Sequence, residues 1–89
     1  MDPGILAAIQ KLPKYEAAIK ELALRSESFR SLCGDLAEAE QAIRRRRHAE
    51  TPDQAAQLAE YRHLVEDLEA ELRQAITTWQ AQSKGRHQN

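Results

Sequence analysis

The chain has 89 residues, of which 42% are hydrophobic, 30% charged and 4% aromatic, and its net charge is −1. That length bounds it to one small domain, and one Trp, one Phe and two Tyr cannot furnish a bulky aromatic core. The near-zero charge excludes a chain built throughout as a polycation for nucleic acid. The single cysteine, Cys33, excludes an internal disulfide framework and a cysteine-based zinc cluster.

Taken in chain order, the first element is a short helix over 3–12. Asp2 suits its N-cap, Pro3 its first turn, and Ile5, Leu6, Ile9 and Leu12 form one apolar stripe. No basic segment precedes that stripe, so no secretory signal is expected. Nor does any run reach the ~20 apolar residues of a membrane span. With one unpaired thiol, a reducing cytoplasm is the expected location. Pro13 ends the short helix, because the residue before a proline avoids the α region.

A long helix is predicted over 14–48. Its apolar positions Phe29, Leu32, Leu36, Ala39 and Ile43 step 3, 4, 3, 4, the a/d spacing of a heptad seam. Extended backwards, the same register takes in Leu22, Ala18 and Tyr15, with Arg25 as a polar intruder at a d position. A turn at 49–51 follows. Thr51 suits an N-cap, Pro52 falls at N1, and Gln54 completes a Thr-x-x-Gln capping box. The second long helix covers 52–81, with Leu58, Tyr61, Val65, Leu68, Leu72, Ala75 and Trp79 on an unbroken seam. Residues 83–89 carry no periodicity and read as a flexible tail beyond a single helical domain over 1–82.

A connection this short makes the two long helices antiparallel neighbours. Folding about it sets Ile43 against Leu58, Leu36 against Val65, Phe29 against Leu72 and Leu22 against Trp79. The predicted fold is therefore all-α: a coiled-coil-like antiparallel hairpin ~45 Å long at ~1.5 Å per residue, with the short N-terminal helix docked near Trp79. Two helices leave one side of each seam open. Leu6, Ile9, Leu24, Leu64 and Ile76 add apolar surface, so oligomerisation, most simply a homodimer, is expected to complete a helical bundle.

The block from Phe29-x-x-Leu32 to Ile43, followed by a short turn and Leu68-Glu69-Ala70-Glu71-Leu72 to Ile76, resembles the YdcH-like family of small bacterial proteins. That resemblance implies a helical hairpin of unknown function and no activity. The family's second helix is lysine-rich, whereas this one is glutamate-rich, and the first two dozen residues here are additional.

Chemistry-bearing patterns are few. Glu60-x-x-His63 has the spacing of a di-iron ligand pair, but the register places Glu60 at c and His63 at f, both facing water, so no metal site is expected. Glu38 and Glu40, like Glu69 and Glu71, are two residues apart and diverge around a helix. Cys33 lies beside the seam with no base near it and reads as a small buried hydrophobe. Gly34, in mid-helix, reads as tolerated at ~1 kcal/mol relative to Ala. Arg25 either specifies register or lets its stem reach solvent. No catalytic residue, cofactor site or small-molecule substrate site is expected.

The run Arg44-Arg45-Arg46-Arg47 reads first as the cationic end of a helix, complementing its last carbonyls. The alternative is an anion-binding patch for nucleic acid or lipid headgroups, although no aromatics are interleaved for base stacking. The expectation is thus a non-enzymatic protein–protein interaction or assembly module. Its interaction seam is Leu22, Phe29, Leu32, Leu36, Ile43, Leu58, Tyr61, Val65, Leu68, Leu72 and Trp79, and its partner is a second copy or another helical protein.

Overall fold

A computed structural model describes residues 2–87, with side chains through residue 83. The protein is all-helical over these residues: α1 (Pro3–Lys11), a single 3-10 turn (Pro13–Tyr15), α2 (Glu16–Arg25), α3 (Glu27–Arg45) and α4 (Pro52–His87). No helix among the described residues is long and apolar enough to cross a membrane.

Capping explains most of the boundaries. The Asp2 carboxylate accepts from the Gly4 and Ile5 amides at 2.6 and 3.4 Å, and Pro3 opens α1. Pro13 forces Leu12 out of the α region and closes the helix. At the start of α4 the capping box is formed. Gln54 N–H donates to Thr51 Oγ1 at 3.2 Å, and Gln54 Oε1 accepts from the Glu50 and Thr51 amides at 2.8 and 3.2 Å.

The single helix expected over 14–48 is corrected by the structure. Ser26 is extended (φ −129°, ψ 114°) and divides that segment into α2 and α3. Its hydroxyl accepts from the Phe29 amide at 3.1 Å, capping α3, and the Arg30 guanidinium donates to the Ala23 carbonyl that the break leaves without a helical donor. Seven-residue spacing carries across this boundary, so periodicity alone ran the two helices together. Arg25, expected at a d position, is instead exposed at the end of α2 and donates to Glu21 at 3.3 Å.

The break also changes where the N-terminal helix sits. Gly4 lies against the α3 backbone at Cys33–Gly34, and the Lys11 ammonium lies 3.6 Å from Glu40. Both contacts advance seven residues on each helix, so α1 runs alongside α3 in the same direction. Ala7 and Ala8 are buried in this contact. The expected docking of the short helix near Trp79 is therefore replaced by docking on α3. From the level of Glu40 the chain has to regain the level of Glu27, ~20 Å at ~1.5 Å per helical residue. The 3-10 turn and α2 span that distance only by running back beside α3.

α4 returns along the other side of α3. Arg46 covers Tyr61 near the turn, while Phe29 and Leu32 share a hollow with Ala75 and Trp79 near the far end. The core joins all four helices, with Ile19, Leu36, Leu72, Ile76 and Cys33 its largest fully buried side chains. Ile76, expected to contribute outer apolar surface, is instead fully buried in this core. The molecule measures 59 × 22 × 21 Å, its long axis set by α4. That helix runs through Ser83–His87, where the sequence reads as a tail, because Gln, Lys and Arg are good helix formers and one glycine does not stop it. Gln88 and Asn89, the rest of the expected tail, lie outside the described residues.

Candidate interaction groove

α1 covers one flank of α3, through Cys33, Gly34, Ala37, Glu40, Gln41 and Arg44. The opposite flank faces α4 across an open groove. Three hollows follow one another along it. The first, by the α3–α4 turn, is lined by Arg46, Gln57, Glu60, Tyr61 and Leu64. The middle one lies among Asp35, Glu38, Ala39, Ala42, Tyr61, Leu64 and Leu68. The third, at the α2–α3 corner, is lined by Leu22, Phe29, Leu32, Ala75 and Trp79, with Ser26, Ser28, Thr78 and Gln82 at its edge. From Tyr61 to Trp79 the groove is roughly 27 Å long at ~1.5 Å per residue.

The expected seam residues divide between floor and rim. Leu22, Phe29, Leu36, Leu58, Val65, Leu68 and Leu72 are buried inside the chain, whereas Leu32, Ile43, Tyr61 and Trp79 are half-buried. Only the second set retains surface for another molecule. The exposed leucines are Leu6 (45%), Leu24 (81%) and Leu64 (43%). They stand on α1, α2 and α4 respectively, and only Leu64 belongs to the groove. Ile9, also expected to add outer surface, is half-buried.

Charge marks the groove as well. Asp35 and Glu38 line it from α3 and Glu60 from α4. Leu64, Asp67, Glu71, Ala75, Thr78 and Gln82 follow at spacings of three and four on α4, the spacing that stacks residues along one helix face. Asp67 and Glu71 therefore stand on the same rim as the lining residues on either side of them. All five carboxylates are exposed, and none forms an ion pair among the described residues. Lys11, Lys20, Arg25 and Arg73 are paired with other acids away from this rim.

The four consecutive arginines do not share one face. Arg44 and Arg45 occupy the last turn of α3, Arg46 is its C-cap, and Arg47 is exposed in the turn. The Arg46 guanidinium lies 4.9 Å from the Tyr61 ring centroid and donates to the Ala42 carbonyl at 3.5 Å. It therefore closes the turn end of the groove by a cation–π contact. Glu60 and His63 are both exposed. His63 lies 3.8 Å from Glu66, and no three metal-ligating side chains converge among the described residues. Cys33 is fully buried beneath α1. Burial pushes its thiol up to about 11, the Asp2 carboxylate adds to that push, and a backbone hydrogen bond opposes it. The thiol is therefore protonated and shielded, the opposite of what a nucleophile requires.

Neither family models, curated proteins nor solved structures align with this chain.

Sequence reasoning missed two positions. Gly4 seats α1 on α3: a Cβ there would lie 2.8 Å from Cys33 C and Gly34 N. Ser26, as an N-cap, sets the corner at which the third hollow opens. Arg25 was the signal for it, since a charged residue at a seam position indicates that the seam has ended.

Proposed function

We propose that this protein is a non-enzymatic helical interaction module, in which α3 and α4 act as a coiled-coil-like hairpin braced by α1 and α2. A helix laid in the open α3–α4 groove completes a bundle. The observation that carries this reading is the row of half-buried residues along the groove, Leu32, Tyr61, Ala75 and Trp79, with Leu64 exposed beside them. Helix-in-groove recognition uses such a row, read by anchors at i, i+3, i+4 and i+7. The accessible surface of 6467 Å² exceeds the ~5,300 Å² that mass scaling gives a compact monomer of this size, in keeping with a side left uncovered. The occupant is a second copy or another helical protein, and the buried free thiol suits a reducing compartment such as the cytoplasm. Anion binding by Arg44–Arg47 is the lesser reading, because Arg46 is engaged by Tyr61.

The test is a groove-edge substitution, Leu64→Lys, at a position 43% exposed, with circular dichroism checking that the variant folds. Light scattering over a concentration series reads self-association, and Trp79 emission reads the capture of a synthetic amphipathic helix. A variant indistinguishable from wild type in both would refute the groove as an interaction surface.

A further inference from the structure

Building on that reading, we infer that the groove's occupant is a basic amphipathic helix supplied by another protein, about five turns long, selected by five rim carboxylates that form no ion pair among the described residues. The half-buried apolar residues Leu32, Tyr61, Ala75 and Trp79, with Leu64, supply affinity for any amphipathic helix, and the carboxylates beside them decide which one. Asp35 and Glu38 stand on the α3 side, and Glu60, Asp67 and Glu71 on the α4 side. An entering helix thus meets carboxylates on both flanks of its apolar stripe. Lysine or arginine on those flanks gains charge-assisted contacts and faster encounter, whereas glutamate there is repelled.

The same rims argue against a second copy as the occupant. In an isologous dimer the same patch lies on both subunits, so residue i meets j and j meets i. Five carboxylates would then face the same five, with Arg46 of each copy already held over its own Tyr61. Like charges opposed across an interface disfavour that pairing. An acidic rim therefore keeps two copies apart on this face while leaving it open to a cationic partner.

The single tryptophan reports directly, since Trp79 is the only one in the chain and lines the groove. The probe is a synthetic peptide of about eighteen residues, with leucine at i, i+3, i+4 and i+7 and lysine on both flanks. A second peptide carries glutamate in place of each lysine. Each is titrated against the full chain, read by Trp79 emission and by anisotropy of a label on the peptide. The basic peptide is expected to shift Trp79 emission to the blue and to bind at least about tenfold more tightly than the acidic one. That preference shrinks as salt shortens the Debye length from ~10 Å at 0.1 M towards ~3 Å at 1 M. Neutralising the rims together (Asp35→Asn, Glu38→Gln, Glu60→Gln, Asp67→Asn, Glu71→Gln) removes the tenfold preference. Neutralising Glu16, Glu21 and Glu66, outside the groove, preserves it, and circular dichroism checks that both variants fold.

Equal binding of the two peptides would overturn the charge selection while leaving the groove as an interaction surface. Failure of both to move Trp79 would overturn the groove reading with it. A stable dimer that the basic peptide does not displace, and that groove substitution breaks, would assign the groove to a second copy and overturn the inference.

Discussion

Gly4→Ala tests the seating of α1 on α3 with two opposed magnitudes. A methyl group at position 4 would lie 2.8 Å from Cys33 C and Gly34 N and 3.0 Å from the Cys33 carbonyl oxygen, against ~3.5–4.0 Å for a relaxed carbon contact. These are backbone atoms of a helix interior and cannot swing aside. α1 therefore has to lift by several tenths of an ångström over its whole contact, which includes the buried Ala7 and Ala8. Overpacking of this kind costs about 1–3 kcal/mol. Against it stands the gain of replacing glycine by alanine in a helix, at most ~1 kcal/mol. The net expectation is a loss of about 1–2 kcal/mol, or roughly a 4–16 °C fall in Tm for a domain of this size. Gly34→Ala is the internal control. Nothing lies within 4 Å of a Cβ built there, so the helical gain acts alone and Tm rises by a few degrees. Thermal melts followed by circular dichroism measure both, and the lifted α1 of the Gly4 variant also speeds maleimide labelling of Cys33. A Gly4→Ala protein as stable as wild type, or a pair of variants shifting in the same direction, would refute the docking of α1 on this stretch of α3.

Three further expectations rest on single observations. Ser26→Ala removes the cap on the Phe29 amide and is expected to lower stability by about 1 kcal/mol in urea unfolding, whereas the exposed Ser31→Ala stays within ~0.5 kcal/mol. Arg46→Ala loses the contact with Tyr61, worth ~0.5–1 kcal/mol, while Arg47→Ala, exposed in the turn, changes stability little. For Cys33 the folded thiol titrates near 11 against a reference of 9.0. Below about pH 9 both states hold the proton and this group adds no pH dependence to stability. Between pH 9 and 11 the unfolded chain releases it first, so the group's contribution falls as pH rises. Cys33→Ala flattens that part of the stability profile relative to wild type, and an unchanged alkaline slope would show the thiol to be more exposed than the fold places it.

Much of the local structure was legible in the sequence because it is set by neighbours along the chain. Asp2-Pro3 and Thr51-Pro52-Asp53-Gln54 carry their own capping groups, and those hydrogen bonds are formed at the expected atoms. The all-helical class follows from periodicity and composition, since a 3, 4 apolar spacing buries one face only in a helix. Part of the groove is legible too: Leu32, Tyr61 and Trp79 fall on the heptad seams, and each is half-buried. The acidic rims were not, because Asp35, Glu38, Glu60, Asp67 and Glu71 are scattered in the sequence and converge only when α3 and α4 lie side by side.

The sequence by itself determined where α1 and α4 start and which residues form the apolar stripes, since capping groups and a repeat of about 3.6 residues act within a few residues. Tertiary structure alone decided that α2 folds back at Ser26 and that α1 lies on α3, and hence which flank of the α3–α4 pair remains open. An extended residue such as Ser26 preserves the phase of the heptad count while reversing the chain direction, so periodicity is blind to it. The close approach of Gly4 to Cys33–Gly34 involves residues about thirty positions apart, and no local pattern encodes a contact between two backbones.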